Sequence, residues 1–350
     1  MNIAIDSKYI SKIKNLEEIL NIKLYLVGGA VRDLLLGQTP KDLDFVTSVL
    51  PDDVEQAILK INKKTYILGK KFGTIGFKYD FGDGSELIEI TTFRSETYTD
   101  DNRKPEVVFT DNVQVDLGRR DFTINAMAIN SDGKLIDIFE GQKDLENKIV
   151  RAVGNPKIRF TEDPLRLLRA IRFSQKLGFE IEQKTLEKII ESKFKLLNIS
   201  RERWVLELDQ ILSHDQVRTG LNSLMNTGLL GIMIPELKIQ KDYDQNSVYH
   251  DFSLWEHTLN VVELVPKDQL DLRWAGLLHD IAKPFTKVEK PDGHSGYYGH
   301  ELLGSEMAKK VCNYLKFSNQ RTDFVVETIK HHLEPESPLK QYDDGGKKIS

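Results

Sequence analysis

Two aspartates separated by one residue, Asp42 and Asp44, are the strongest candidates for chemistry in this sequence. In a strand, residues i and i+2 face the same side, so both carboxylates would point to one place and repel each other unless a cation lies between them. Mg²⁺ is typically held by one or two carboxylates together with substrate phosphates. The spacing therefore predicts that Asp42 and Asp44 are catalytic metal ligands for an in-line displacement at a phosphate.

The stretch before these aspartates is suited to holding that phosphate. A short apolar run, predicted as a strand, stops at Gly28 and Gly29, and residues 30–36 are predicted to be helical. Glycines let the backbone approach a ligand closely, and a helix N-terminus offers free N–H groups to an anion. Arg32 adds a bidentate phosphate donor. A glycine turn followed by two exposed aspartates is the simpler alternative, but the combination within about twenty residues favours a phosphate site.

Glu89, within the predicted strand Glu86–Thr92, is a third carboxylate that could deprotonate an attacking hydroxyl. A strand-edge glutamate that faces water is an equally good interpretation, and both remain open.

Asp163 and Arg166 form a pair whose chemistry suits base recognition. Asp163 precedes Pro164, so it is predicted to cap a helix on which Arg166, Arg169 and Arg172 recur every three residues. A carboxylate accepts the amino protons of cytosine and adenine, while an arginine donates to the neighbouring ring nitrogen. Uracil and guanine present the inverted pair, and unpaired buried groups cost about 1–3 kcal/mol each. From the pattern alone, a capped amphipathic helix with a basic face explains the same residues.

The stretches 27–37 and 42–47 resemble the head motif of class II tRNA nucleotidyltransferases, the CCA-adding enzymes and their poly(A) polymerase relatives in the polymerase β-like superfamily. The stretch 119–128 resembles a second motif of that family. This resemblance implies that Arg120 contacts the nucleotide and that Asp121 and Asn125 are candidates for the ribose.

Glu162, Asp163 and Arg166 match the EDxxR motif of the same family. The resemblance implies that Asp163 and Arg166 act as a protein template for the incoming base, and that Arg169 and Arg172 hold the helix or phosphates. In that family the position of residues 93–105 holds a loop that is needed for the final adenosine. Here the loop has full length, which favours an enzyme able to add A.

Histidines in the last third of the chain resemble the signature of HD phosphohydrolases, whose His and Asp ligands bind a metal that activates water. The resemblance implies a second divalent metal at a site formed by His257, His279, Asp280, His300 and His331. The last aspartate of that signature has no convincing counterpart after His332, and the polar tail 335–350 is typical of a frayed end or of a shortened chain. Whether this domain hydrolyses phosphates or only supports RNA is open at this stage.

Composition is that of an ordinary globular protein, with 40% hydrophobic and 29% charged residues in 350. The net charge is −5, yet residues 151–203 are locally basic, which is compatible with an RNA backbone or with a solvated helical face. No segment is apolar enough for a membrane span, and the start of the chain lacks an export signal. One cysteine fits a cytoplasmic protein. The sequence does not give an oligomeric state.

The fold class that we predict is α+β, a polymerase β-like head with a mixed sheet followed by all-α neck, body and HD-type domains. The predicted domains are residues 1–150, 151–240 and 241–350, and whether the last is shortened is open at this stage. The predicted function is addition of CCA from CTP and ATP to tRNA 3′ ends with Mg²⁺. Alternatives are an enzyme that adds only A, a poly(A) polymerase, an HD phosphohydrolase whose head binds nucleotide or RNA, and a non-catalytic RNA-binding protein.

Overall fold

The protein is described by a computed structural model that covers residues 6–67, 69–97, 106–246 and 253–333. The chain divides into two compact units. We call residues 1–166 and 177–192 the sheet unit, and residues 167–176 and 193–350 the helical unit. The three-domain division at residues 150 and 240 stays a prediction.

The sheet unit combines short helices with many strands. Its helices are α1 (Ser7–Leu20), α2 (Gly29–Leu35), α3 (Pro51–Lys60), α4 (Val113–Gly118), α5 (Gly141–Glu146), α6 (Pro156–Glu162), the ends of α7 (Arg166–Leu177), and α8 (Gln183–Ser192). Its strands are β1 (Tyr25–Val27), β2 (Leu43–Thr47), β3 (Thr65–Tyr66), β4 (Thr74–Asp80), β5 (Ser85–Thr92), β6 (Arg94–Thr97), β7 (Glu106–Phe109), β8 (Ala128–Asn130), β9 (Leu135–Ile136), β10 (Ile149–Val150) and β11 (Glu180–Ile181).

A seven-stranded sheet with the order β3-β4-β5-β2-β1-β8-β9 forms the centre of this unit. The pair β2–β5 is parallel and the other neighbouring pairs are antiparallel, so the sheet is mixed. Side chains alternate along the strands because successive residues face opposite sides. Ile75 and Phe77 of β4 and Ile88 and Ile90 of β5 are fully buried, which leaves the residues between them on the open face.

The helical unit is built almost entirely of helices. They are α9 (Arg201–Leu212), α10 (Val217–Thr227), α11 (Leu229–Met233), α12 (Pro235–Lys238), α13 (Leu254–Leu264), α14 (Leu270–Leu278), α15 (His300–Tyr314) and α16 (Asn319–Lys330), with the short hairpin β12 (Lys287–Glu289) and β13 (Ser295–Tyr297) before α15. The middle of α7, residues 167–176, also belongs to this unit.

Hydrogen bonds to Asp209 join three helices of the helical unit around a buried tryptophan. Trp274 of α14 is fully buried, and its Nε1 donates to Asp209 of α9 at 2.7 Å. Arg321 of α16 donates to both oxygens of Asp209 at 2.9 Å. A buried indole N–H needs such a partner, so Asp209 fixes how α9, α14 and α16 pack.

The α+β prediction is confirmed, and most predicted elements are present. Two segments differ. Residues 94–97, predicted as part of a long polar loop, form strand β6 against β7, while residues 98–105 lie outside the described residues. Helix α7 begins at Arg166, two residues after Pro164. Asp163 is extended (φ −137°, ψ 99°) between α6 and α7, as the residue before a proline and a capping residue both are.

No helix of the described residues is both long and apolar enough to cross a lipid bilayer. The tail 335–350 lies outside the described residues, so its predicted character is not tested.

The start of α5 gives a stability prediction. A Cβ added to Gly141 would lie 2.3 Å from the carbonyl oxygen of Thr123, so backbone would have to move. We expect Gly141→Ala to lower the free energy of unfolding by about 1–3 kcal/mol, measured by urea denaturation. The matched control is Gly118→Ala, whose Cβ would meet Phe139 at an ordinary 3.5 Å and should not destabilise. Equal stability of the two variants would contradict the packing described here.

Candidate functional site

Three carboxylates gather on one side of the central sheet. Asp44 alternates with buried Leu43 and Phe45 along β2, so its side chain faces solvent. The parallel register of β2 and β5 places Asp44 directly beside Glu89. Asp42, which is also exposed, precedes the same strand by one residue. We call Asp42, Asp44 and Glu89 the carboxylate site.

The surroundings of Asp44 disfavour its charged form, with loss of hydration as the largest effect. Loss of hydration, followed by the negative charges of Glu89 and Asp42, raises the pKa of Asp44, while the positive charge of Arg120 opposes them. A divalent cation between these oxygens would remove the repulsion that raises this pKa. Carboxylate oxygens are the ligands that a hard divalent cation takes, although among the described residues these three carboxylates do not bring three ligand atoms within 4.8 Å of one another.

The predicted phosphate-binding residues lie next to each other. Gly28 has φ +69° and caps α2, and a Cβ there would lie 2.9 Å from Nη1 of Arg120. A residue with a side chain would therefore be strained and would displace the arginine. Gly29 has Arg32 as its nearest neighbour, at 3.5 Å from the position of an added Cβ. The glycines thus leave room for both guanidinium groups.

Arg32, Asn125 and Asp121 form one hydrogen-bonded chain. The buried Arg32 donates from Nη1 to Oδ1 of Asn125 at 2.7 Å and pairs with Asp33 at 2.6 Å. Asn125 in turn donates to Oδ1 of Asp121 at 3.1 Å, which also accepts the N–H of Phe122. The structure thus brings three of the predicted nucleotide-binding residues together and fixes the orientation of each.

The sequence reasoning missed a residue that orients Arg120. Asp116 of α4 is fully buried and accepts from Arg120 Nη2 at 3.1 Å and from Arg119 Nη2 at 2.8 Å. Burial alone would raise the pKa of Asp116, but the charges and hydrogen bonds of Arg119 and Arg120 outweigh it and lower the pKa. The signal in the sequence was the spacing, since residues three and four apart on a helix are neighbours.

The predicted base-reading pair lies at the junction of α6 and α7. Asp163 accepts the N–H of Leu165 at 3.1 Å, as a helix-capping residue does. Arg166 is buried and donates to Glu162 at 2.9 Å and to the carbonyl of Arg119 at 2.6 Å. Because Arg119 adjoins Arg120, the predicted base-reading arginine is tied to the segment that carries the predicted nucleotide-binding arginine.

Arg169 and Arg172 belong to the helical unit and share one partner there. Arg172 is buried and donates from Nε to Glu207 of α9 at 2.6 Å. Arg169 is partly exposed and lies 3.8 Å from the same carboxylate. The pairing of Arg172 with Glu207 joins α7 to α9, which favours the helix-holding role over phosphate contact for Arg172.

A second group of ligands surrounds the buried Asp280. Its Oδ2 lies 3.2 Å from Nε2 of His257 and 3.0 Å from Nε2 of His279, and its Oδ1 lies 3.2 Å from Nε2 of His300 and 3.8 Å from Nε2 of His332. Burial opposes ionisation, but the surrounding histidines hold the pKa of Asp280 well below its usual value. We call these five residues the histidine cluster.

The hydrogen bonds at Nδ1 of three of these histidines fix which ring nitrogen faces Asp280. Nδ1 of His279, His300 and His332 each lies 2.6–2.8 Å from the backbone carbonyl three residues earlier. A carbonyl only accepts, so each of these Nδ1 atoms carries a proton and the Nε2 atoms face the carboxylate of Asp280. The Nε2 atoms of His257 and His279 lie 3.1 Å apart, and those of His300 and His332 lie 3.3 Å apart, so when deprotonated they could bind a cation together with Asp280.

His331, predicted as a ligand, lies outside the cluster. Its side chain is half exposed, and its Nε2 lies 3.3 Å from Glu327. The correction follows from helical periodicity, since Thr322, Val325 and Ile329 are the buried positions of α16 and the next position of that face is 332. In the part of the chain that the structure describes, the groups of three ligand atoms within 4.8 Å are His257–His279–Asp280 and Asp280–His300–His332.

Comparison with known families matches three successive parts of the chain. Residues 24–151 match the "Poly A polymerase head domain", residues 178–240 the "Probable RNA and SrmB- binding site of polymerase A", and residues 254–347 the "HD domain". The carboxylate site falls within the first match and the histidine cluster within the third.

Curated proteins that are similar to part of this chain are CCA-adding enzymes. The chain is 41% identical to the CCA-adding enzyme of Geobacillus sp. (strain WCH70) over 231 residues, which are 66% of this chain and 55% of that enzyme. It is 43% identical to the CCA-adding enzyme of Bacillus subtilis (strain 168) over 206 residues, 59% of this chain and 50% of that enzyme. The chain thus spans about half the length of the curated relatives it matches.

A solved structure resembles most of the chain. The crystal structure of the Bacillus stearothermophilus CCA-adding enzyme in complex with CTP superimposes with a TM-score of 0.60 and 29% identity, covering 93% of this chain and 77% of that one.

Repulsion at the carboxylate site can be measured in the protein without metal. Glu89→Gln removes the nearest negative charge, so we expect the pKa of Asp44 to fall, as read from its ¹³C-carboxylate shift in an NMR titration. The control is Glu86→Gln on the same strand, because Glu86 pairs with Lys12 and not with Asp44. An unchanged pKa of Asp44 in Glu89→Gln would show that the two carboxylates do not interact.

Adjacent histidines provide a matched test of the cluster. We expect His332→Ala to weaken binding of Mn²⁺ to the helical unit by at least about 10-fold, measured by calorimetry in an Asp44→Asn background that silences the carboxylate site. His331→Ala should bind as tightly as the parent. If His331→Ala weakens binding and His332→Ala does not, the assignment of the ligands is reversed.

Proposed function

We propose that this chain adds CCA to tRNA 3′ ends from CTP and ATP without a nucleic-acid template. The premise is that the chain belongs to the family of tRNA nucleotidyltransferases and poly(A) polymerases. Its polymerase head domain covers residues 24–151 and its HD domain covers residues 254–347. The observation that carries this proposal is the register of β2 and β5, which sets Asp44 beside Glu89 at the edge of a phosphate-binding turn.

In the proposed reaction the 3′-hydroxyl oxygen of the RNA attacks the α-phosphorus of the nucleotide. The bond from that phosphorus to the bridging oxygen breaks, and pyrophosphate leaves. Asp42 and Asp44 would hold Mg²⁺, which supplies polarisation of the attacking and leaving oxygens. Glu89 accepts the hydroxyl proton, for which its position beside Asp44 is suited.

The guanidinium groups beside the Gly28–Gly29 turn hold the nucleotide. Arg32 and Arg120 supply donors to the triphosphate, and Gly28 and Gly29 leave the space for it. Asn125 and Asp121 are the proposed ribose contacts, since a 2′-hydroxyl can both donate and accept. Their present hydrogen bonds keep Arg32 in place before the nucleotide binds.

Base selection is proposed for Asp163 and Arg166. Asp163 accepts the amino proton of cytosine or adenine, and Arg166 donates to the ring nitrogen beside it. Arg166 has five N–H donors, and the bonds to Glu162 and to the carbonyls of Arg159 and Arg119 use three of them. Arg169 and Arg172 brace the helix that follows, through Glu207.

CTP, ATP and tRNA are the proposed partners. CTP is bound by the similar Bacillus stearothermophilus enzyme. Residues 178–240 match a region described as RNA-binding, and they overlap the locally basic stretch 151–203. Cytoplasmic location is part of the proposal and fits a chain with a single, buried cysteine, Cys312.

Two alternative functions differ from CCA addition in the nucleotides that are added. An enzyme that adds only A would complete transcripts that already end in CC, and a poly(A) polymerase would not stop after one A. The Asp163–Arg166 pair, which serves C and A alike, favours CCA addition over poly(A) synthesis.

The histidine cluster supports a second activity in the same chain, metal-dependent phosphate hydrolysis. A cavity of about 460 Å³ lies against the cluster and is lined by apolar side chains such as Val261, Leu272 and Leu333. Lys283 is buried beside it, 2.8 Å from Asp280, and adds a positive charge. A metal held by the cluster would supply an activated water for a small phosphoester.

Incorporation on tRNA transcripts tests the main proposal. We expect transcripts that end before CCA, after C and after CC all to be completed when CTP and ATP are both supplied. Extension of only the transcript that ends in CC would show an enzyme restricted to A. Long A tails would show a poly(A) polymerase, and extension of none would overturn the proposal.

Two substitutions separate the two activities. Asp44→Asn should reduce incorporation to background and leave hydrolysis of p-nitrophenyl phosphate unchanged, and Asp280→Ala should do the opposite. Each variant is the folding control for the other. Incorporation that survives Asp44→Asn would contradict the assignment of the carboxylate site.

A further inference from the structure

A cavity of about 730 Å³ opens on the exposed face of β3, β4 and β5 and is not used by the nucleotide-binding residues described above. We call its main lining residues the strand platform: Tyr66, Phe72, Gly76, Lys78, Glu89 and Arg94. Glu89 alone is shared with the carboxylate site. The platform therefore starts at the reaction centre and extends away from it across the sheet.

Strand register aligns the platform with the metal-binding aspartate. Tyr66 pairs with Gly76, Gly76 with Glu89, and Glu89 with Asp44, so the four residues form one row across β3, β4, β5 and β2. With neighbouring strands about 4.8 Å apart, Tyr66 lies roughly 14 Å from Asp44 along this row. A chain molecule whose terminal unit lies at Asp44 can therefore contact Tyr66 with its next unit.

Sheet order places the platform opposite the nucleotide. The turn with Gly28 and Gly29 follows β1, and Asn125 precedes β8, both on the β1 side of β2. The platform is on the β5 side of β2. In an in-line displacement the attacking oxygen and the leaving group lie on opposite sides of the phosphorus. If pyrophosphate leaves toward Arg32 and Arg120, the attacking hydroxyl comes from the platform side.

The chemistry of the platform suits single-stranded RNA. Tyr66 is 47% exposed and Phe72 is partly exposed, so their rings are available for stacking with bases. Gly76 leaves the floor between Tyr66 and Glu89 without a side chain. Exposed Lys78 can pair with a phosphate. Arg94 donates to the carbonyl of Phe72 and pairs with Glu96 at 3.2 Å, and these contacts hold this part of the cavity lining in place.

We propose that the strand platform binds the last nucleotides of the RNA that is being extended, with a base stacked on Tyr66 and the 3′-hydroxyl at Glu89 and Asp44. This inference rests on the proposed nucleotidyl transfer and adds to it the side from which the acceptor RNA arrives. Because stacking has no preference among bases, the platform accepts the 3′ end at each stage of growth.

The test measures the Michaelis constant for acceptor and for nucleotide separately. The acceptor is the dinucleotide CpC, which is too short to depend on distant contacts, and the nucleotide is ATP. We expect Tyr66→Ala to raise KM for CpC by about 10-fold with KM for ATP unchanged, and Tyr66→Phe to behave as the parent. The control Tyr298→Ala removes an exposed tyrosine of the helical unit and should change neither constant.

A second variant fills the floor of the platform. Gly76→Val places a strand-favouring side chain here, its Cβ meets only contacts of 3.5 Å or more, and circular dichroism checks that the variant folds as the parent does. We expect it to raise KM for CpC at least as much as Tyr66→Ala does, again with KM for ATP unchanged.

The outcomes distinguish this inference from the proposed function. Absence of any transfer by the parent protein would overturn nucleotidyl transfer and the platform together. Active variants with an unchanged KM for CpC would overturn the platform alone. A raised KM for ATP with an unchanged KM for CpC would assign the cavity to the incoming nucleotide and contradict the inference.

Discussion

The parallel register of β2 and β5 is the constraint on which the carboxylate site depends. Asp44 and Glu89 occupy paired positions of these strands, with Asp42 one residue before β2. Loss of hydration, and after it the charge of Glu89, raises the pKa of Asp44, and a bound cation would offset the repulsion between the two carboxylates. Ile88 and Ile90, on either side of Glu89, are fully buried and hold β5 in the register that places Glu89 beside Asp44.

The two candidate metal sites meet the same need with different ligands. The carboxylate site offers only oxygen ligands on exposed strand positions, which suits Mg²⁺ shared with substrate phosphates. The histidine cluster offers imidazole nitrogens around the buried Asp280, with the proton of three rings fixed by backbone carbonyls, which suits a transition metal. Because the sites lie in separate units, one can be removed without the other.

Local features of the sequence predicted most of what is local in the structure. The aspartate spacing and the glycine turn identified the carboxylate site, and hydrophobic periodicity identified the helices. An error arose where two histidines are adjacent, because the helical face selected His332 over His331. The row from Tyr66 to Asp44 could not be predicted, because strand register joins residues distant in sequence.

Manganese binding to the carboxylate site tests the central claim most directly. The protein would carry Asp280→Ala to silence the histidine cluster, and free Mn²⁺ would be followed by electron paramagnetic resonance with and without a non-hydrolysable CTP analogue. Our account predicts Mn²⁺ binding that is strengthened by the analogue and is lost when Asp44→Asn is added. Equal Mn²⁺ binding with and without Asp44→Asn would contradict it, because the cation would then not be held by the repelling carboxylates of β2 and β5.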